Sequence, residues 1–142
     1  TYCGSNGMGQ VTKLSNQIMA LGNLAMMCEG ILFGIKAGGN PETILNAVSG
    51  GAANSWMVET LGPKILQKDF SPGFMINLAS KDLGIVLEYA KEVGLQLPST
   101  SLINNVFRSA QQSGLGEEGT QAYVKTLEKL FALGSQNPVI FS

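Results

Sequence analysis

The stretch VTKLSNQIMALGNLAMMCEGILFGIKAGG, residues 11–39, decides the fold class of this chain. Its apolar residues recur at spacings of three and four, which is the period of an α-helix. The recurring residues are Val11, Leu14, Ile18, Leu21, Ala25, Cys28, Leu32 and Ile35. Because Gly38 and Gly39 end the run, the pattern predicts a helix over residues 10–38, roughly 40 Å long at 1.5 Å per residue.

The opposite side of this helix carries a second apolar row, and a helix that is apolar all round is either buried or spans a membrane. The second row consists of Ala20, Leu24, Met27 and Ile31. Four polar residues, which are costly in lipid, make a membrane span the weaker interpretation. They are Asn16, Gln17, Asn23 and Glu29. We therefore expect the buried central helix of a domain that has no membrane partner.

The rest of the chain also has helical periodicity and helix-boundary signals, so we predict an all-α domain of about six helices. The segment NPET, residues 40–43, is typical of a helix start, with Asn40 as N-cap and Pro41 first. That helix should end near Val48. A third should run from Asn54 or Ser55 to about Gln67, with Gly62-Pro63 kinking or interrupting it.

Three further helices are predicted downstream. The first predicted helix covers residues 76–93 and ends at Gly94. The second begins at Pro98 and ends near Gly114. The last predicted helix follows the segment GLGEEGT. The inward side chains of the first are expected to be Ala79, Leu83, Val86, Ala90 and Val93. Those of the last helix are expected to be Tyr123, Leu127, Leu130 and Phe131. No alternating strand pattern is present.

Composition excludes several functional classes. Only 13% of the 142 residues are charged, against about 25% in average domains, so part of the surface should face another subunit or domain. The net charge of −1 argues against a nucleic-acid partner. There is no histidine, which excludes Ser-His and Cys-His catalysis and His-ligated metals. Cys3 and Cys28 form no CxxC motif, so a zinc site is not expected and a reducing cytoplasm is the default.

The residues before the long helix leave two interpretations open. Gly4, Gly7 and Gly9 form G-x-x-G-x-G with no preceding strand, so they do not match a dinucleotide-binding fingerprint. They are either a flexible helix entry or a place where backbone approaches a ligand or another domain closely. The chain begins at Thr1 without methionine, and we expect another segment upstream.

Lys13, Asn16 and Gln17 are the candidate site, because offsets of three and four place them on one helical face. One interpretation is that this end of the helix simply protrudes into solvent. The other is catalytic: partial burial and the positive helix end favour a neutral amine, which can exchange a proton near pH 7. The two amides would then orient a polar substrate beside Lys13.

The stretch GMGQVTKLSNQ, residues 7–17, resembles the Gly-x-Gly-Gln-x-x-Lys-x-x-Asn-[Asn/Gln] signature of the β-hydroxyacid dehydrogenases. This family includes 3-hydroxyisobutyrate dehydrogenases and tartronate semialdehyde (2-hydroxy-3-oxopropionate) reductases. Residues 36–58 and 69–98 resemble two further motif regions of the family, in the right order. The resemblance covers about residues 3–133.

The resemblance implies a domain organisation that composition does not show. Residues 1–142 would be a single C-terminal domain like that of 6-phosphogluconate dehydrogenase. They would divide into an interdomain entry (1–9), the long helix (10–38), a helical bundle (40–133) and a tail (134–142). The N-terminal Rossmann domain, which binds most of the NAD or NADP, is absent from this chain, so the chain alone should be inactive.

The resemblance also implies residue roles. Lys13 matches the general acid/base, and Asn16 and Gln17 match substrate-contacting positions. Lys81, in KDL, and Phe74 match positions at the cofactor end of the cleft. From pattern alone Lys81 is an ordinary solvated lysine, since it lies on the polar face opposite the apolar stripe.

The implied function is interconversion of a 3-hydroxy acid and its semialdehyde by a homodimer or homotetramer that associates through the helical domain. The alternative is a non-catalytic helical module for oligomerisation or partner binding, which the low charge suits equally well. A helical cofactor-binding bundle is a third candidate, but it lacks His and carboxylate ligand pairs. The sequence does not decide between NAD and NADP, or among hydroxy acids.

Overall fold

The computed structural model describes residues 1–132 and 139–141 and confirms an all-α fold. The helices are α1 (Met8–Lys36), α2 (Pro41–Ser49), α3 (Trp56–Leu66), α4 (Ile76–Glu92), α5 (Pro98–Gln112) and α6 (Tyr123–Ala132). A short 3₁₀ turn, Thr120–Ala122, precedes α6. Within those described ranges no strand forms; Met75 and Gly119 make one isolated bridge.

The long helix α1 is the centre of the structure, because every other α-helix packs against it. Leu24, Cys28 and Leu32 are fully buried, and Ile31 on the second apolar row is 2% exposed. By length and composition alone α1 could cross a membrane, a test that the core helix of a soluble protein also passes. The burial on several sides explains why both predicted rows are apolar.

Local capping signals account for most helix boundaries. The Asn40 side chain accepts a hydrogen bond from the Thr43 N–H at 2.8 Å. Ser55, not Asn54, caps α3 by accepting from the Val58 N–H at 3.2 Å. Gly94, after α4, has φ of +73°, a left-handed conformation that glycine adopts without strain. These three predictions of helix ends are confirmed.

Of the two effects predicted at Gly62-Pro63, a kink or an interruption, the interruption does not occur, because α3 continues through Pro63. A proline inside a helix costs about 3 kcal/mol. Leu61 and Ile65 on either side of it are 8% and 0% exposed, and burying such a side chain contributes about 1.5–3 kcal/mol each. Core packing therefore offsets the lost backbone hydrogen bond.

Three side chains predicted to point inward are exposed instead. Val93 is 58% exposed, Leu130 44% and Phe131 49%. All three lie at or near the last residues of α4 and α6, where the supporting helices no longer cover the surface. The long helix also begins two residues earlier than predicted, at Met8, and ends at Lys36 rather than 38.

Glu128 joins α6 to the C-terminal segment. This carboxylate is only 2% exposed and accepts hydrogen bonds from the backbone N–H groups of Ile140 and Phe141. Phe141, 4% exposed, belongs to the hydrophobic core. Residues 133–138 and 142 of the predicted tail lie outside the described residues. The described part of the tail is thus fixed to the core by a buried carboxylate.

Glu128→Gln should lower the free energy of unfolding by about 1.5–3 kcal/mol, because hydrogen bonds to a charged group are worth that much and glutamine offers one oxygen for two N–H donors. Urea denaturation followed by circular dichroism measures the change. The matched control is Glu117→Gln at an exposed position, which should shift stability by less than about 0.5 kcal/mol. Equal effects of the two substitutions would contradict a structural role for Glu128.

Candidate active site

The three predicted site residues lie together near the start of α1. Lys13 and Asn16 are exposed, and Gln17 is half-buried. The expected partial burial of Lys13 is therefore wrong for this chain. Since α1 begins at Met8, Lys13 also lies beyond the first turn, where the influence of the helix end has largely faded.

A side-chain relay connects these residues to α4. The Asn16 amide donates to Gln17 Oε1 at 3.2 Å, and the Gln17 amide donates to Asp82 Oδ2 at 2.8 Å. Gln17 thus uses both ends of its amide, which fixes its rotamer. Asp82 was missed in the sequence, although it follows Lys81 in the KDL motif. Its partner is 65 residues away, so no local spacing reveals the contact.

Lys13 stays available for chemistry. Throughout the described chain, ion pairs form only between Lys64 and Asp69 and between Lys125 and Glu118. Lys13 and Gln17 are four residues apart, so their Cβ atoms lie about 5–6 Å from each other on the helix surface. The arrangement is an unpaired amine next to an amide–carboxylate relay, which can exchange a proton and bind a polar group.

A cavity of about 230 Å³ opens beside Gln17. Its lining includes Gln17, Trp56, Thr60, Lys64, Phe74 and Gln121. Larger depressions lie along the far part of α1, but apolar side chains dominate their walls. Because the smaller cavity adjoins the relay and combines two amides, two threonines, a lysine and two aromatic rings, it is the candidate binding site.

Phe74 reaches this cavity from the loop of residues 69–74, DFSPGF, which we call the Phe74 loop. Gln121, 2% exposed, donates its amide to the backbone oxygens of Asp69 at 2.9 Å and Ser71 at 3.1 Å. The Thr120 N–H donates to Phe74 O at 2.8 Å. The position of Phe74 is therefore set by a segment that lies about 50 residues further along the chain.

Electrostatics also holds the Phe74 loop. Hydrogen bonds from the Ser71 hydroxyl and N–H hold the pKa of Asp69 below its usual value, and Lys64, 3.7 Å away, adds a smaller effect. Because the pKa of Asp69 is lower in the folded chain, its ionised carboxylate stabilises the fold above the unfolded pKa, about 3.9. This stabilisation is lost as pH falls through the folded pKa. The ionised Asp69 carboxylate thus adds a stabilising contact within the Phe74 loop at neutral pH.

Lys81 lies on α4 directly before Asp82, and its side chain is exposed. Successive helical residues are about 100° apart, so Lys81 points away from the relay while its backbone lies beside it. Lys81 takes part in neither of the two ion pairs found within the described residues. Its role at a cofactor stays a prediction.

Two other candidates for acid–base chemistry are buried. Cys28 is 0% exposed, and burial raises the pKa of its thiol far above the usual value, with a further contribution from Glu29. Burial likewise raises the pKa of Tyr123, which packs on Phe107 with ring centroids 4.7 Å apart. Neither side chain lines the 230 Å³ cavity, so neither is a candidate for acid–base chemistry there.

Comparison with known proteins gives consistent matches. Residues 7–127 match a family model described as NAD-binding of NADP-dependent 3-hydroxyisobutyrate dehydrogenase. The chain is 40% identical over 129 residues to the probable 3-hydroxyisobutyrate dehydrogenase-like 1, mitochondrial, of Arabidopsis thaliana, covering 91% of this chain and 39% of that protein. It is 37% identical to 2-hydroxy-3-oxopropionate reductase of Escherichia coli K12, covering 90% and 44%.

A solved structure agrees with these sequence matches. The 3-hydroxyisobutyrate dehydrogenase of Salmonella typhimurium superposes with a TM-score of 0.80 at 31% identity. The match covers 84% of this chain and 42% of that one. The chain thus spans about two fifths of the length of the relatives it matches.

Gln121→Met should free the Phe74 loop, because the apolar side chain fills the same space but leaves the Asp69 and Ser71 oxygens without a donor. We expect a loss of about 0.5–1.5 kcal/mol in unfolding free energy for each of the two lost hydrogen bonds. Faster amide hydrogen exchange confined to residues 69–74 and 119–121 would accompany it. Gln112→Met, at an exposed position of α5, is the control and should change neither quantity; unchanged exchange in Gln121→Met would contradict the assigned role.

Proposed function

The chain belongs to the 3-hydroxyisobutyrate dehydrogenase family of NAD(P)-dependent oxidoreductases, and on that premise we propose that it is the helical, substrate-facing half of such an enzyme. The proposed reaction interconverts a 3-hydroxy acid and its semialdehyde, of the 3-hydroxyisobutyrate or tartronate semialdehyde type. An upstream dinucleotide-binding domain, of the kind that the length of the relatives implies, would complete the site.

The observation that carries the proposal is the position of the Lys13 amine, one helical turn from Gln17, which binds Asp82 and lines the 230 Å³ cavity. Lys13 forms no ion pair within the described residues. In the oxidation, neutral Lys13 takes the proton of the substrate hydroxyl as its C–O bond becomes C=O. In the reduction, protonated Lys13 returns that proton to the developing alkoxide. General acid–base catalysis of this kind requires no histidine.

The amides hold the substrate while Lys13 acts on it. Asp82 holds Gln17, and Gln17 in turn accepts one N–H of Asn16. This leaves the Asn16 oxygen and its second N–H free to bind a hydroxyl or carboxylate of a small hydroxy acid. We assign Asp82 as a positioning residue, because its contact runs through Gln17.

The residues present fit a nicotinamide cofactor only at its reactive end. Phe74 offers a half-buried aromatic ring and Lys81 an exposed cation on neighbouring segments, whereas the glycines before α1 follow no strand and form no pyrophosphate-binding turn. When bound, the nicotinamide supplies or accepts the hydride. Most of its binding surface is therefore assigned to the upstream domain.

A second function of the same domain is self-association into a homodimer or homotetramer. Three large apolar side chains of α1 support it: Met19, Met26 and Phe33 are 62%, 56% and 76% exposed. Exposed apolar patches on a low-charge surface are typical of subunit interfaces. The non-catalytic alternative keeps only this function, and the role of Lys13 discriminates between the two.

Lys13→Ala, made in the protein that includes the upstream domain, should lower kcat by about 10²–10⁴-fold, which is the usual contribution of a general acid or base. Steady-state kinetics with 3-hydroxyisobutyrate and with tartronate semialdehyde measures the loss. Lys91→Ala is the matched control, since Lys91 is exposed on α4 away from the cavity, and it should retain full activity. If Lys13→Ala lowers kcat by less than about tenfold, Lys13 is not the general acid or base, and the non-catalytic alternative is favoured.

A further inference from the structure

Trp56 is the only tryptophan of the chain and is among its most exposed large apolar side chains. It is the first residue of α3 and is 64% exposed. Within the described residues the only pair of packed aromatic rings is Phe107 with Tyr123, so the indole ring of Trp56 stacks on no other ring. A tryptophan offers a large apolar surface to whatever covers it. This ring is therefore available to contact a ligand.

The helical face that carries Trp56 is turned towards the 230 Å³ cavity. Thr60 and Lys64 lie one and two turns further along α3, and all three residues line that cavity. Because helical side chains lean towards the N-terminus of their helix, the Trp56 ring extends past the start of α3. The buried residues Leu21 and Leu61 line the same cavity. They form its floor, and the exposed indole lies at its rim.

Hydrogen bonds fix the backbone that carries the Trp56 ring. The Ser55 hydroxyl accepts from the Val58 N–H at 3.2 Å, and the Ser55 N–H donates to the side-chain oxygen of Asn54 at 2.8 Å. The Asn54 amide in turn donates to the Glu59 carboxylate at 2.8 Å. The start of α3 is thus held in place while the exposed ring has room to rotate about its side-chain bonds. Only the ring has to move to cover a bound molecule.

The cavity wall formed by α1 brings the substrate next to this ring. Gln17 and Ala20 both line the cavity, and they lie about 6 Å and about 10 Å along the helix axis from Lys13. When the hydroxyl of a small acid is at the Lys13 amine, its carbon chain extends past Gln17 towards Ala20. The methyl side chain of Ala20 forms no hydrogen bonds. This part of the cavity therefore suits the carbon chain of the acid.

We propose that Trp56 is a specificity-determining residue whose indole ring covers the carbon chain and the C2 substituent of the bound hydroxy acid. This role rests on the function proposed above, but the proton transfer at Lys13 does not use it. An alkyl substituent under the ring loses its contact with water, which favours binding, whereas a hydroxyl substituent gains little from the ring face. Trp56 therefore favours 3-hydroxyisobutyrate, which carries a methyl group, over glycerate, the reduced form of tartronate semialdehyde, which carries a hydroxyl.

The contact is tested with Trp56→Ala in the protein that includes the upstream domain, by steady-state kinetics with both acids. The KM for 3-hydroxyisobutyrate should rise by about tenfold or more, and that for glycerate by less than about threefold. The kcat for each acid should change by less than about threefold, because contact with a non-reacting group stabilises bound substrate and transition state alike. Trp56→Phe, which keeps an aromatic ring, should restore most of the KM.

The matched control is Leu102→Ala, because Leu102 is a large apolar residue of α5 that is 69% exposed and does not line the cavity. It should change neither constant. Isothermal titration calorimetry with 3-hydroxyisobutyrate measures affinity without turnover, and Trp56→Ala should weaken it by about tenfold or more. The melting temperature of Trp56→Ala should match that of the unmodified protein, since the ring is mostly exposed.

The possible outcomes separate this role from the proposed function. An unchanged KM and an unchanged affinity in Trp56→Ala, while the unmodified protein turns over both acids, overturn the role of Trp56 alone. Equal rises in KM for the two acids overturn its role in specificity. If Lys13→Ala keeps its kcat while Trp56→Ala shows the expected rise, the acid–base assignment fails and the Trp56 contact stands. A protein that neither binds nor turns over either acid overturns both.

Discussion

The burial of α1 is the constraint on which the rest of the structure depends. This helix is 29 residues long and has apolar side chains on most of its circumference, so it is stable only when other helices surround it. All five of the remaining α-helices contact it. Leu24, Cys28 and Leu32 lose all their exposed surface as a result. The shape of the bundle, with short helices arranged around one long helix, follows from this requirement.

The candidate site lies where that burial ends. Near its start α1 carries Lys13, Asn16 and Gln17, and the covering helices leave a cavity there instead of closing on the surface. The contact between Gln17 and Asp82 fixes α1 against α4, while Gln121 holds the loop that carries Phe74. The candidate site thus consists of three segments that the packing of α1 brings together.

Sequence reasoning succeeded where the decisive interactions are local. The caps at Asn40 and Ser55 involve residues three positions apart, and the left-handed Gly94 depends only on its own backbone. It failed where distant packing outweighs a local preference. Pro63 stays within α3 because its neighbours Leu61 and Ile65 are buried. Phe131 has the right spacing for the core but is 49% exposed and lines an open surface depression beside Phe33 of α1.

By itself the sequence determined the helical class, most helix ends, the family motifs and the shared face of Lys13, Asn16 and Gln17, since helical periodicity and capping act over three or four residues. Only the tertiary structure decided which side of α1 is left exposed, because several of its faces are apolar and the pattern alone treats them alike. It also decided that Gln17 binds Asp82, 65 residues away, and that Gln121 holds the Phe74 loop. These pairings arise from the packing of whole helices, which places side chains in contact regardless of their separation along the chain.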